Sequence, residues 1–493
     1  MNNATLVLVL SLVGLSAARA QTPDARVLTL DDAIEIALEQ SYDVREERYE
    51  LESAEKSLEA VKRGLMTSLN LELDAPEYVN QLKSQFNTET GAEEFFKVEN
   101  TTVEGTLSLD QPIVFTDGRL SLFGTLLWRD QNSELGAGVE EYYTDVGVRL
   151  VQPLFTFNDL GADLERAEIR LERTRRNYLV TEQDIVFRVT SAFYAAYQAG
   201  RRLDIAREKL EQTEASFETG RNKFKAGLVP ESEALQLEVE YAASRNEVLD
   251  AETRVSDALN ELKLALGMEI EEPIDVVAEI EFAPVEIDRE RAIAFALERR
   301  PEIENARDNV RLQELEVEET SDQGDVQANL IANYGINKND ELIDELWNDF
   351  AQNRSVTLNV RLPLWDWGQN RLRTEAAIAE LKIAQLRIEE ERKGIVKDAI
   401  SLLDRLESAK ARVALLEKSL DVARRSYDIS ANRFAAGQIT GFELSQTQLR
   451  LTETRLDHLS ALIDYRTALA DLKRRTLYDF EKQESVEPFY KLD

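Results

Sequence analysis

No cysteine occurs anywhere in the 493 residues, which removes disulfide frameworks, thiolate metal sites, thiol redox chemistry and a lipidated cysteine from consideration. Histidine is almost as scarce. The single His458 has no second histidine to share a metal or a proton with, and in a helical pattern it reads as a packing residue. Three methionines offer little soft-ligand chemistry for copper or silver ions. No phosphate-cradling glycine loop and no metal-ligand spacing is present, so neither catalysis nor a cofactor is expected. Beyond residue 20 no apolar run approaches the ~18 residues that a membrane-spanning helix needs. Basic charge is also in deficit: 59 Lys and Arg stand against 94 Asp and Glu, a net charge of −35. Nucleic acid is a poor partner for such a surface, because that binding is driven by cationic neutralisation of phosphates.

What is present starts with an export signal. Residues 1–20 carry an apolar core, Leu6 to Leu15, followed by Ala18-Arg19-Ala20, a small-x-small cleavage pattern. The mature chain is expected to begin at Gln21.

The remainder is written twice. Asn222-Lys223-Phe224-Lys225-Ala226-Gly227 recurs as Asn432-Arg433-Phe434-Ala435-Ala436-Gly437, and Pro153-Leu154-Phe155 recurs as Pro363-Leu364-Trp365. Both pairs are 210 residues apart. Repeats at a fixed offset override a length-based domain count. Each half opens with a short helix pattern, at Ala33–Glu39 and Ala292–Glu298, with Asp31 and Asp288 as expected N-caps. These two helices are 259 residues apart, so the first half carries about 49 extra residues before its long helix.

After these helices the hydrophobic period falls to two. Leu69, Leu71 and Leu73 alternate with polar residues, and so do Val356, Leu358, Val360 and Leu362. Further strands of this kind are expected at 102–109, 119–128, 145–151 and 328–334. A soluble sandwich would alternate in the same way. Aromatic residues at strand ends, among them Trp128, Tyr142, Tyr143, Phe155, Phe157, Tyr334, Trp347, Trp365 and Trp367, favour the interfacial girdles of an outer-membrane barrel.

Proline is absent from 160–226 and from 371–436, and each stretch, as a helix, would reach roughly 100 Å. Heptads mark the packed seams. Val189, Ala196, Leu203, Leu210, Phe217 and Phe224 fall at steps of seven, as do Ala399, Leu406, Val413, Leu420, Tyr427 and Phe434. Return helices follow the reversals at Gly227-Leu228-Val229-Pro230 and Gly437-Gln438-Ile439-Thr440-Gly441, where glycine supplies a left-handed cap.

In its duplicated Asn-x-Phe-x-Ala-Gly tips, each followed by Glu233 or Glu443, and in its Gln152-Pro153-Leu154-Phe155 and Leu362-Pro363-Leu364-Trp365 joints, the chain resembles the TolC-type outer-membrane efflux family, the outer membrane factors. The resemblance runs from about residue 28 to 477. It implies a mainly α-helical fold with a β-barrel portion: a homotrimer sharing one barrel in outer-membrane lipid, continued by a long periplasmic coiled-coil barrel. The partners implied are a periplasmic adaptor, or membrane fusion, protein and an inner-membrane transporter. The expected role is an exit duct for small molecules, with no enzymatic step. A type I protein-secretion channel and a non-channel periplasmic coiled-coil scaffold remain alternatives.

The expected organisation is a signal peptide at 1–20 and a first repeat at 21–267, with strands within about 67–151 and a hairpin at 158–267. A linker follows at 268–287. The second repeat covers 288–477, with strands within about 327–362 and a hairpin at 368–477, and a tail runs from 478 to 493. The resemblance places adaptor docking at Gly227, Leu228, Val229, Pro230, Gly437, Gln438, Ile439 and Thr440. It places an entrance constriction at Phe224, Phe434, Ser232, Glu233, Glu443 and Gln446, with Glu443 in a lumen carboxylate ring or, equally, serving as a helix-start acid.

Two departures stand out. Phe434 and Ile439 occupy positions where the family's closed entrance uses a Tyr and an Arg to bond residues matching Ser232 and Glu233, so closure here is expected to be apolar. The first half also offers four strands where the family usually has two. The additional pair, 102–109 and 119–128, is expected to form an extended extracellular hairpin rather than further barrel staves.

Overall fold

A computed structural model describes residues 26–87, 90–134, 136–278 and 280–486. The expected signal peptide and the end of the expected tail lie outside the described residues. In chain order the elements are β1 (Arg26–Leu28), α1 (Leu30–Gln40), α2 (Tyr42–Gly64), β2 (Ser68–Asn87), β3 (Ala92–Ile113), β4 (Gly118–Ser133), β5 (Gly136–Leu154), α3 (Asp159–Lys225), α4 (Glu231–Leu266), β6 (Ile274–Val276), α5 (Arg289–Arg299) and α6 (Pro301–Asp322). Then follow β7 (Gln327–Asp340), a 3₁₀ turn at Ile343–Trp347, β8 (Ala351–Arg361), α7 (Gln369–Ala435), α8 (Gly441–Thr476), β9 (Tyr478–Asp479) and β10 (Glu484–Ser485). Among the described residues, no helix is long and apolar enough to cross a membrane.

The chain divides into two compact units. The first takes residues up to 42, 185–284 and 407–470. It holds the distal parts of α3 and α7, with α4 and most of α8. The heptad seam is its core: Val189, Ala196, Leu203 and Val413 are buried, together with Leu262, Leu451 and Tyr465 on the return helices. The expected linker supplies β6, which pairs in parallel with β1, and Tyr465 donates its hydroxyl to the Ala283 carbonyl at 3.1 Å. The cap of α1 is Thr29, in a reciprocal box with Asp32, rather than Asp31; Asp288 does cap α5. A hydroxyl one residue before the apolar run can reach the third helical amide, which Asp31, already inside the helix, cannot. Gly267 closes α4 at φ +75°, and a Cβ there would lie 2.6 Å from the Gln40 carbonyl oxygen, so only glycine fits.

The second unit takes 43–184, 285–406 and the residues from 471 onward. Beside its sheet, α2 and α6 pack on the start of α3. Arg311 forks onto Glu165 at 2.6 and 3.1 Å, and Arg166 reaches Glu319 at 2.5 Å. The β9–β10 segment folds onto α5, where Arg299 lies 4.2 Å from the Phe295 ring centroid and the Tyr478 ring, tilted by 44°, lies 4.7 Å from the same centroid.

The sheet corrects one sequence expectation. Its order is β2-β3-β4-β5-β7-β8, antiparallel throughout. The extra pair, β3 and β4, is inserted between β2 and β5 as full-length members, so it is no extension beyond the sheet. Its turn, residues 114–117, lies at the end of the sheet where α3 begins. There Asp117, at φ +56°, accepts from the Leu160 amide at 3.2 Å, and Asn158 donates to the Val114 carbonyl at 2.8 Å. The physical reason is continuity of pairing. Leu109 stands opposite both Leu69 and Leu122, and Leu122 stands opposite Val148, so the apolar residues of β3 and β4 complete one face.

That face is apolar and exposed from edge to edge, including Leu71, Leu107, Leu122, Val148, Tyr334 and Leu358. The opposite face carries Glu72, Asp74, Glu104, Asp110 and Asp145, four arginines (Arg119, Arg129, Arg149, Arg361), and an Asn-rich wall on β7 and β8. Arg149 donates to Asn333 at 2.9 Å, and Asn333 to Ser355 at 3.0 Å.

Candidate functional site

The two hairpin tips lie in the first unit, and duplication gives them the same backbone. Gly227 and Gly437 adopt φ +75° and +71°. Each tip closes with paired amides: Gly227 and Leu228 donate to the Phe224 and Lys223 carbonyls, while Gly437 and Gln438 donate to those of Phe434 and Arg433, all at 2.8–2.9 Å. This is the Schellman closure that helix-terminal glycines permit. Leu228, Pro230, Gln438 and Thr440 are exposed at the ends, with Val229 and Ile439 half-buried.

The tips part company in their side chains. Phe434 is only 4% exposed and packs with Leu237 and Leu444, flanked by Phe217, Tyr427, Ala431 and Ile439. Its counterpart Phe224 is 40% exposed. Within one chain the Phe434 ring fills the seam between the two hairpins, because α4 offers it Leu237. Leu237 itself seats between two glycines. A Cβ at Gly220 would meet its Cδ1 at 2.4 Å, and one at Gly441 would meet Cδ2 at 3.2 Å, so the helices approach closely where these residues lack side chains.

Polar ties cross the same seam. Lys223 donates its ammonium to the Phe434 carbonyl at 2.6 Å and sits 4.2 Å from the Phe434 ring centroid. Glu233 accepts the Gly441 amide at 3.0 Å. Farther along, Ser445 donates to Glu240, Gln448 to Gln212 at 3.2 Å, and Arg455 to Glu208 at 2.6 Å. The seam is thus held by both packing and charge. Lys223 and Leu237 were missed because their partners are a carbonyl and two glycines, which leave no mark in a side-chain pattern.

The remaining candidates fall outside that network. Glu443 makes helix-start contacts: its carboxylate accepts from the Thr440 amide at 2.9 Å, and its own amide donates to the Thr440 hydroxyl at 3.3 Å. Ser232 and Gln446 are exposed. No group of His, Asp and Glu able to hold a metal ion occurs among the described residues.

Two long helical hairpins joined to a sheet with one apolar and one polar face have clear counterparts among known proteins. The sequence model of the outer membrane efflux protein family matches residues 33–268 and 292–476, one match per repeat and most of the chain. The chain belongs to the outer membrane efflux protein family. Similar members include the alkaline protease secretion protein AprF of Pseudomonas aeruginosa, 21% identical over 332 residues covering 66% of this chain and 67% of that one. Protein CyaE of Bordetella pertussis is 28% identical over 258 residues, about half of either chain, and outer membrane protein TolC of Vibrio cholerae is 19% identical over 358 residues, 68% of this chain and 78% of its own. The fold matches the outer membrane channel CmeC of Campylobacter jejuni with a TM-score of 0.67 at 12% identity, covering 93% of this chain and 86% of that one. It matches the outer membrane protein VceC of Vibrio cholerae at 0.65 and 14% identity, covering 93% and 97%.

Proposed function

We propose that three copies of this chain form the outer-membrane exit duct of a tripartite export system, taking small molecules from an inner-membrane transporter through a periplasmic adaptor to the exterior. The observation that carries this reading is the sheet: an exposed apolar face backed by a polar one, with unpaired edges at β2 and β8. In lipid every backbone polar group must be paired, so such a sheet is stable only as part of a closed barrel. The apolar face meets lipid and the polar face lines the passage. The tips, Gly227 to Pro230 and Gly437 to Thr440, would dock the adaptor.

Duplication supports assembly from several copies. Within one chain, Lys223 covers Phe434. At the same offset, Arg433 and the exposed Phe224 are free to repeat this contact between one copy and the next. That would continue the seam around a ring of alternating hairpins and bury Phe224.

Similarity to AprF, a protease secretion protein, favours a second cargo, secreted polypeptide. Deleting the gene and assaying the culture medium separates the two: loss of an exported protein indicates secretion, whereas raised sensitivity to toxic compounds with unchanged secreted protein indicates small-molecule efflux. The duct itself is tested by fractionation. The protein is expected with outer membranes, resisting salt and carbonate; release into the soluble periplasm contradicts the reading and favours a scaffold.

A further inference from the structure

Among the described residues the two edge strands of the sheet, β2 and β8, have no further strand beside them, and these edges fit each other. All eleven residues of β8 are exposed, and Leu69, Leu71 and Leu73 of β2 are likewise uncovered, whereas much of β3, β4, β5 and β7 is partly shielded. A line drawn across the pairings from Ser68, the first residue of β2, passes through Asp110, Ser121, Arg149 and Asn333 and reaches β8 at Ser355. That is six residues short of Arg361, where β8 ends beside its helix. The strand ends recede steadily along the way: β3 and β4 end three residues beyond the line, β5 five, β7 and β8 six. If β8 meets β2 of a next copy, six residues at ~3.3 Å over six steps of ~4.8 Å correspond to a strand tilt of about 35°, within the usual range for barrels.

From these edges we infer that β8 of one copy pairs antiparallel with β2 of the next, and that all six strands of each chain are staves, giving an eighteen-stranded barrel in three copies. This rests on the exit-duct reading above. The strand ends set the register by bringing Arg361 level with Ser68 of the next copy, and the pleat agrees with it, because a one-residue slip would turn every side chain to the wrong face. Val360, Leu358 and Val356 lie opposite Leu69, Leu71 and Leu73 of the next copy, and Ser355 lies opposite Asp74. This register keeps the contact below Pro76, which lacks an amide for a ladder bond. It also places Thr357 beside Glu72 on the polar face. Eighteen staves at this tilt enclose a backbone diameter of about 34 Å, against about 23 Å for twelve. The additional β3–β4 pair therefore widens the passage at the membrane, and its turn at Asp117 keeps the widened rim tied to α3.

The absence of native cysteine makes the test clean. Leu71→Cys and Leu358→Cys are introduced into one full-length chain, and outer membranes are oxidised with diamide. Facing positions put Cβ atoms within reach of a disulfide, so covalent dimers and trimers are expected on non-reducing gels. The control, Leu71→Cys with Thr357→Cys, places the thiols on opposite faces and is expected to stay monomeric. A second pair, Leu122→Cys with Val148→Cys, is expected to cross-link within the chain, reporting β4 beside β5. If the double variant is in the outer membrane as an intact oligomer but gives no covalent ladder, or if Leu71→Cys cross-links instead to Val148→Cys, the eighteen-stave barrel is overturned while the duct stands. Absence from the outer membrane overturns the duct and the barrel together.

Discussion

Single side chains decide how firmly the two hairpins of one chain hold each other. Lys223 contributes a charged hydrogen bond to a carbonyl, an interaction worth about 1.5–3 kcal/mol where well shielded, and less here because the side chain is only half-buried. Lys223→Ala is expected to speed amide hydrogen exchange across Ala436–Leu444 by about tenfold, about 1.4 kcal/mol of local opening, and unchanged protection would show that the contact is idle. Phe434→Ala removes a buried ring and is expected to cost about 3 kcal/mol or more in thermal unfolding, well beyond Phe224→Ala measured the same way. Glu47 makes a pH prediction. Burial pushes its carboxyl above the usual range, reinforced by Glu50, Glu46 and Asp43, while a bond from Thr181 at 3.0 Å opposes the shift. A raised carboxyl favours the fold most below its unfolded pKa, and the benefit fades as pH rises through the folded value. Glu47→Gln should therefore raise the melting temperature at pH 8 and leave it unchanged at pH 4.

Elements differ in how plainly the sequence announced them. The heptad helices and glycine reversals were legible because both signals are local: α3 and α7 fall within two residues of their expected limits. Gly437→Ala tests that reading, since φ +71° disfavours any Cβ by roughly 1 kcal/mol; a lowered melting midpoint is expected, and no change would show that the turn tolerates a side chain. The strands were legible only where apolar alternation was strong. Beyond Pro76, residues 77–100 are rich in Glu, Asn, Gln and Lys, and their pairing is fixed by neighbours rather than by their own pattern, so β2 and β3 run far past the expected 74 and 102. The β3–β4 turn was misplaced for the same reason. Nothing in Val114–Asp117 indicates at which end of a sheet it lies until Asp117 is seen meeting the Leu160 amide. At the tips, Phe434 was found by its motif, but its packing within the chain was not, because Leu237 reaches it from a segment some 200 residues away in the chain.

At the scale of the whole molecule, the duplication sets up two hairpins of equal length, and divergence between them distributes the work. One half tucks Phe434 into a seam within the chain, while Phe224 of the other half stays exposed. The first half also carries the additional strands, so the departure from strict repetition falls in the sheet. Everything proposed for function rests on that sheet lying in lipid with its polar face inward. A nitroxide scan along β4, one cysteine at a time from Leu120 to Trp128 in outer-membrane vesicles, measures this directly. Oxygen is expected to reach labels at 120, 122, 124, 126 and 128, and a water-soluble nickel complex those at 121, 123, 125 and 127. Equal access of the nickel complex to both sets would contradict a membrane barrel.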